Sequence, residues 1–467
     1  MKFLLYIICG EVSSSNSNSN TDRELVKSMS RIIVSRFGGD EAANSQEIKK
    51  AAEVLASDPA RQYAIVSAPG SMPGSVGVTD MLYLCHSRFM NRENYDDILD
   101  RISDRFNEIV QGLGINFNVR EEIDVIRKSI DMGMALDFVA SRGEYITARI
   151  FAEYLGWNFI DAAEIIFFNK DGTPDREKTF RAAGERLKPM PHTIIPSFYG
   201  TAYNGNIKTF VRGDCDSAGA LVACSVNAEI FEKWSEAAKV FSADPSVIPN
   251  PELIHDITYM EALELNYVGM NLVTDNVVFM LNEAGIPMRI ASTHDPDDSG
   301  MLISPKLPED VNRKVTACIA GSRNFTTIHI RKYGLNKDYA FNEKLFGIFA
   351  RQHIPCQLSL SGIHQMSVIL KSPVFDIRRN QIIGELQSEL APESLTVEKG
   401  LAVIFVIGEG MGTVKGIFGT IFDALVGAFV KAKMVEQGAD QQNIMIGVSG
   451  SDYETAVEAL YNALIVN

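Results

Sequence analysis

Ile32-Ile33-Val34-Ser35-Arg36-Phe37-Gly38-Gly39 reads as a buried strand, Arg31 to Phe37, running directly into a glycine turn. Asn44 with Glu47 three residues later is a capping-box signature, so the turn leads into a helix whose inward face carries Ile48, Ala51 and Leu55. Tyr63 to Ser67 is the next apolar run of strand length. Strand, glycine turn and helix in repetition predict an α/β domain with a mostly parallel sheet. In such sheets ligands lie beyond the C-terminal ends of the strands.

Four further segments end on residues that carry chemistry. They are Val66-Ser67-Ala68-Pro69-Gly70 with Val78-Thr79-Asp80, then Ser141-Arg142-Gly143-Glu144, then Val211-Arg212-Gly213-Asp214-Cys215-Asp216-Ser217, and finally Phe241-Ser242-Ala243-Asp244-Pro245. The third is the most specific. Arg212 can grip a carboxylate or phosphate bidentately, and Asp216 opens the small apolar run Ala218 to Ala223, where a helix N-terminus attracts anions. Gly38-Gly39 could be a mere turn, but the strand before it and the capped helix after it favour anion binding; Asp244-Pro245 is a frequent turn pair, and Glu144 reads equally as a helix-entry carboxylate. Cys215 is a poor nucleophile candidate, because flanking carboxylates raise a thiol's pKa and no histidine is close in sequence.

A chain of 467 residues exceeds the size of one core, so two or three domains are expected. A net charge of −15 argues against nucleic acid or an anionic membrane as partner. The six cysteines show no metal spacing and read as reduced thiols of a cytoplasmic protein, and no side-chain motif for a resident metal is present. Lys2 and Phe3 to Cys9 imitate a signal peptide without a small-x-small cleavage site, and Ser13 to Asn20 is a polar repeat. Residues 1–29 are therefore expected to be an N-terminal extension. No run is long enough for a membrane span.

The composition shifts to Asp, Pro, Ser and Gly between 295 and 310, which marks a boundary. Beyond it, strands at 325–331, 357–361 and 367–371 alternate with helices at 342–353 and 377–390. The order then recurs as a strand at 401–407, a helix at 415–434, a strand at 443–448 and a helix at 453–464. Two βαββαβ-like units in tandem are the pattern of a ferredoxin-like repeat. The expected domains are 30–308, 315–393 and 395–467.

In their order, these motifs resemble the aspartokinase family from about Arg31 to the C-terminus. Arg36-Phe37-Gly38-Gly39 is similar to that family's Lys-Phe-Gly-Gly opening, and Phe241 to Pro245 to its Tyr-Thr-x-Asp-Pro nucleotide motif. The resemblance implies a carbamate-kinase-like amino-acid kinase domain with a parallel sheet, followed by two ferredoxin-like ACT domains. The implied reaction is transfer of the γ-phosphoryl of ATP, with Mg²⁺, to the side-chain carboxylate of aspartate. Arg36 and Asp216 would be catalytic, and Thr79, Glu144 and Arg212 would bind the amino acid. Gly38, Gly39, Ser235, Phe241, Asp244 and Pro245 would bind the nucleotide. An effector amino acid would sit near Tyr339, Phe341, Asn342, Ser361 and Ile363, and a homodimer would cover the ACT sheet edges.

Several positions depart from the family. Arg36 replaces lysine, Asp40 and Glu41 stand in place of Thr-Ser, Asp214 lies beside Arg212, and Asn271 replaces a lysine expected near the phosphates. Cations are lost and anions gained, which keeps two alternatives open. One is a kinase of another amino acid; the other is a catalytically silent amino-acid sensor. Gly362, where the family often has glutamate, predicts that lysine is not favoured over a neutral effector.

Overall fold

The structure, a computed structural model, describes residues 31–235, 239–307, 314–438 and 441–466. The expected extension at 1–29 lies outside the described residues, as do Cys9 and the stretch 308–313 at the expected domain boundary. The chain divides into two compact units, Met1–Ala237 with Ile286–Asp298, and Ala238–Gly285 with Ser299–Asn467.

In the first unit β1 (Ile33–Phe37) is followed by α1 (Ser45–Ser57), β2 (Arg61–Val66), α2 (Val78–Met90), α3 (Asp96–Leu113), α4 (Val119–Asp131) and α5 (Leu136–Leu155). After them come β3 (Asn158–Phe159), α6 (Arg176–Leu187), β4 (Thr193–Pro196), β5 (Tyr199–Thr201), β6 (Ile207–Thr209), α7 (Asp216–Val226) and β7 (Ile230–Trp234). Asn44 caps α1 as expected, its side chain accepting from the Gln46 and Glu47 N–H groups. Glu47 instead pairs with Lys50 and His294.

Strand β1 pairs in parallel with β2 on one side and β7 on the other, and β2 pairs in parallel with β4. Its apolar residues Ile33, Val34 and Phe37 are 2%, 0% and 0% exposed, so this strand is central. Helices cover it, and one core gathers Ile48, Val54 and Leu55 of α1 with Ile98, Ile102 and Phe106 of α3 and Ile146 and Phe151 of α5. Beneath β7 a carboxylate is fully buried: Glu232 accepts from Ser35 Oγ at 2.9 Å, Arg61 Nε at 2.8 Å and Trp234 Nε1 at 3.0 Å. A buried charge is tolerated only when satisfied in this way, and removing one donor would destabilise by several kcal/mol, about 3–5.

The second unit holds β8 (Asp256–Thr258), α8 (Tyr259–Tyr267) and α9 (Asp275–Ala284) before β9 (Met288–Ala291) returns the chain to the first unit, where it pairs in parallel with β7. From β10 (Met301–Ser304) onward the chain is again in the second unit. There follow β11 (Cys318–Arg331), α10 (Phe341–Arg351), β12 (Leu358–Ser361), β13 (Gln365–Lys371), α11 (Ser372–Leu390) and β14 (Ser394–Ile407). The last elements are α12 (Ile417–Gly427), β15 (Met434–Gln437), β16 (Asn443–Ser449) and α13 (Tyr453–Tyr461).

Six of these strands form one sheet in the order β12-β13-β11-β14-β16-β15. The two expected ferredoxin-like units are both present, but they interlock. Strand β11 gives Phe325–Arg331 to the first and Cys318–Ser322 to the second, while β14 gives Ser394–Lys399 to the first and Leu401–Ile407 to the second. The ladder is irregular between Ser322 and Phe325, where Asn324 has φ 67°, and Gly400 with φ 79° stands across from that irregularity. Strand β11 lies before the expected boundary at 393–395 and β14 after it, and each contributes to both halves of the sheet. The expected helix at 415–434 is also corrected: α12 ends at Gly427, Phe429 takes φ 57°, and 434–437 is a strand. The unbroken apolar run Ala424 to Val430, which continues past the end of the helix, hid this break.

Candidate active site

The C-terminal ends of β1 and β2, the start of α2, the middle of α5 and the entrance of α7 surround a cavity of about 210 Å³. Its lining brings Arg36, Gly39, Thr79, Glu144 and Arg212 together from positions up to 176 residues apart, with Asp80 and Cys215 beside them. Five expected residues from four motifs thus meet in one space.

Glu144 lies deep in it, 3% exposed, accepting from Ser197 Oγ at 3.0 Å and from the Ala68 N–H. Burial pushes its carboxyl up to about 7, against which Ser197, Ala68 and Arg36 pull only in part. Helix α5 can carry this residue inward because Gly143 lets the helix lie against Ala68 and Val78. A Cβ there would stand 3.1 Å from both side chains.

Asp216 is the first residue of α7 and 5% exposed. Its Oδ2 accepts from Lys233 Nζ at 2.7 Å and its Oδ1 lies 3.0 Å from Arg36 Nε. That second contact is a charge pair without hydrogen-bond alignment, because neither Arg36 Nε nor Asp216 Oδ1 has a hydrogen-bond partner. Burial works against both charges. Asp216 nonetheless holds the guanidinium above its usual pKa, and Arg36 with Lys233 holds the carboxylate below its own.

Several expected roles change. Gly38 does not offer its N–H to a ligand here, because it donates to Glu41 Oε2 at 2.8 Å. Glu41 is accordingly 3% exposed and turned inward, and burial raises its pKa, while Asp40 points to solvent. Gly39 instead packs backbone to backbone on Gly70, its carbonyl accepting from the Gly70 N–H at 2.7 Å. A Cβ on Gly70 would lie 2.7 Å from Gly39 C, so the turn tolerates no side chain there.

Arg212, expected to hold a substrate carboxylate, is hydrogen-bonded to Asp80 at the start of α2 and lies over the Tyr83 ring. Asp214 turns to its own helix, accepting from Ser217 Oγ at 2.7 Å. Cys215 is pushed up to about 11, chiefly by burial and then by Glu144, so the thiol is inert for a stronger reason than its sequence neighbours gave.

Ser235 follows β7 in the first unit, its N–H donating to Ala291 O at 2.9 Å. Phe241, Asp244 and Pro245 belong to the second unit, where Asp244 Oδ1 accepts from the Ser246 N–H at 2.8 Å, as a turn-forming aspartate does. Asn271, also in the second unit, is exposed with φ 45°. Near α10, Tyr339 is 99% and Ile363 65% exposed, Asn342 is exposed, and Ser361 ends β12 opposite Met366. Phe341 is 1% exposed and packs into the core with Leu345 and Ile348, so its side chain is closed to a ligand.

Sequence reasoning missed Lys233. The alternation Phe231-Glu232-Lys233-Trp234 marks it: in a strand, Glu232 and Lys233 face opposite ways, and register with β1 sets Glu232 beside Ser35 and Lys233 beside Arg36.

Residues 31–292 match the model of the amino acid kinase family, and residues 404–464 match an ACT domain. Aspartokinase 3 of Bacillus subtilis is 28% identical over 444 residues, spanning 92% of this chain and 97% of its own. The lysine-sensitive aspartokinase 3 of Escherichia coli is 25% identical over 459 residues, spanning 93% and 100%. The crystal structure of the Clostridium acetobutylicum aspartate kinase is similar with a TM-score of 0.88 at 35% identity, covering 93% of this chain and all of that one.

Proposed function

We propose how a chain that belongs to the amino acid kinase family, and within it to the aspartokinases, carries out its reaction. It transfers the γ-phosphoryl of ATP to the side-chain carboxylate of L-aspartate, giving 4-phospho-L-aspartate. One observation carries this reading: a single cavity is lined by one buried carboxyl, Glu144, and two guanidinium groups, Arg36 and Arg212. That is the charge complement of a dicarboxylic amino acid, with one ammonium and two carboxylates.

Glu144 ionises to hold the α-ammonium and Thr79 supplies a hydroxyl beside it. Arg212 leaves Asp80 for the α-carboxylate, so the side-chain carboxylate points to Arg36 and the turn at Gly39. There a carboxylate oxygen forms the new bond to phosphorus while the bond to the ADP oxygen breaks, and ADP leaves with the electron pair. No proton need move. Catalysis of this kind is positioning plus neutralisation of charge on the equatorial oxygens.

ATP enters as its magnesium complex. A magnesium ion of this kind is carried on the phosphates with one or two protein carboxylates. Asp216, whose buried Oδ1 lacks a hydrogen bond, and exposed Asp40 are the carboxylates that fit. Ser235, Phe241, Asp244 and Pro245 are assigned to the nucleotide on the motif order.

The kinase domain is taken as 30–308, and the ACT regions as 315–393 and 395–467. An effector amino acid is placed by Tyr339, Asn342, Ser361 and Ile363, in a cytoplasmic homodimer. The test of the activity is hydroxamate trapping with aspartate, ATP and Mg²⁺. A signal at background refutes it, and mass measurement by light scattering tests the dimer.

A further inference from the structure

Read from sequence, the site has lost lysines at positions 36 and 271, yet the structure shows an ammonium gained at 233. Lys233 is the Cα partner of Arg36 across the parallel β1 and β7 pair, so both side chains leave the sheet on one face, with backbones about 4.8 Å apart. On the other face Ser35 and Glu232 are partners in the buried network, and a one-residue slip would exchange the two sets. The position of the ammonium is therefore fixed by the strand register. Its side chain is 17% exposed, neither solvated nor sealed.

The ammonium bonds Asp216 at the entrance of α7, where backbone N–H groups and the helix dipole favour an anion. Arg36, Lys233 and Asp216 together carry net positive charge at the C-terminal ends of central strands. Arg36 Nε and Asp216 Oδ1 are buried without a hydrogen bond, a cost that a purely structural ion cluster would have removed by closing on itself.

We propose that Lys233 is a catalytic residue of this kinase: its ammonium contacts the phosphoryl group in transfer, supplying from β7 the compact cation that Arg36 no longer supplies from β1. This rests on the reading of the site as an ATP-dependent aspartate kinase. Asp216 holds the ammonium in place, and Arg36 spans the phosphoryl and the acceptor carboxylate with its planar fork. Bond making and breaking are those already given for the carboxylate, phosphorus and ADP.

The experiment compares the wild-type chain with Lys233→Met, Lys233→Arg and Lys233→Ala, measuring kcat, the KM of aspartate and thermal unfolding. Lys233→Met should lower kcat about 10²–10³-fold with aspartate KM changed less than about threefold. Lys233→Arg should recover part of the rate, and ethylammonium in solution should restore Lys233→Ala saturably, which a structural role would not produce. A Lys233→Met enzyme within about threefold of wild-type kcat overturns the proposal. So does a rate loss that tracks lost thermal stability and responds neither to arginine nor to ethylammonium. Failure of the kinase reading itself is visible separately, as wild-type protein that gives no hydroxamate, and the proposal then falls with it.

Discussion

Gly38 donates its backbone N–H to the carboxylate of Glu41 at 2.8 Å, so the glycine turn that faces the reaction centre is stoppered by its own chain. For a phosphate oxygen to take that donor, Glu41 must swing out or be absent. Glu41→Ala is expected to tighten Mg-ATP binding about tenfold, the worth of one hydrogen bond to a charged acceptor. Calorimetric titration checks it, and unchanged affinity would show that Gly38 takes no part in the phosphate cradle.

Glu144 makes stability depend on pH. Its folded pKa, about 7, lies above its ordinary 4.5, so between these values the unfolded chain has lost a proton that the folded chain keeps. Stability therefore falls as pH rises through this window, by up to about 3 kcal/mol, and levels off above 7. Urea midpoints at intervals from about pH 5 to 8 should show the slope in wild type and a flatter line in Glu144→Gln.

Aspartate binding should release a proton below pH 7, because the ligand's ammonium needs Glu144 ionised. Calorimetry in two buffers of different ionisation heat reads this directly. Proton uptake, or no exchange at pH 6, would remove Glu144 from the ammonium site.

Arg212 competes with itself: it is bonded to Asp80 and needed by the substrate. Asp80→Asn should lower the KM of aspartate, and Arg212→Ala should raise it about 10–100-fold with little change in the affinity for ATP. A rise in KM for Asp80→Asn would mean that Asp80 serves to aim Arg212.

For the effector, Ala340 gives α10 no side-chain cap, and since the Phe341 N–H already donates to Asp338 O at 3.1 Å, an α-carboxylate would take the N–H groups that follow it. Gly362 offers no anion to a cationic side chain. Thermal-shift measurements should show lysine no better than threonine or methionine, and a lysine shift much larger than theirs would refute this.

The central strand at 33–37, the capped helix after it and the convergence of Thr79, Glu144 and Arg212 were legible because each rests on local pattern and motif order. What was illegible depended on partners distant in sequence. Lys233 drew no notice in the sequence because only the strand register sets it beside Arg36, and Glu41 looked like an anion in the phosphate path until it folded back on Gly38. Phe429 at φ 57° gave no warning, since an aromatic residue is a rare choice for that backbone.

Strands β11 and β14 each run through both ferredoxin-like halves, so neither half can complete its sheet from its own stretch of sequence. The six-stranded sheet is then complete only when both stretches are present. Its pieces cannot be swapped, duplicated or deleted one at a time, and a ribosome must release β14 before either sheet can close. Any tilt imposed on one half by a bound effector enters the other along a continuous backbone, through the bend at Asn324 and Gly400.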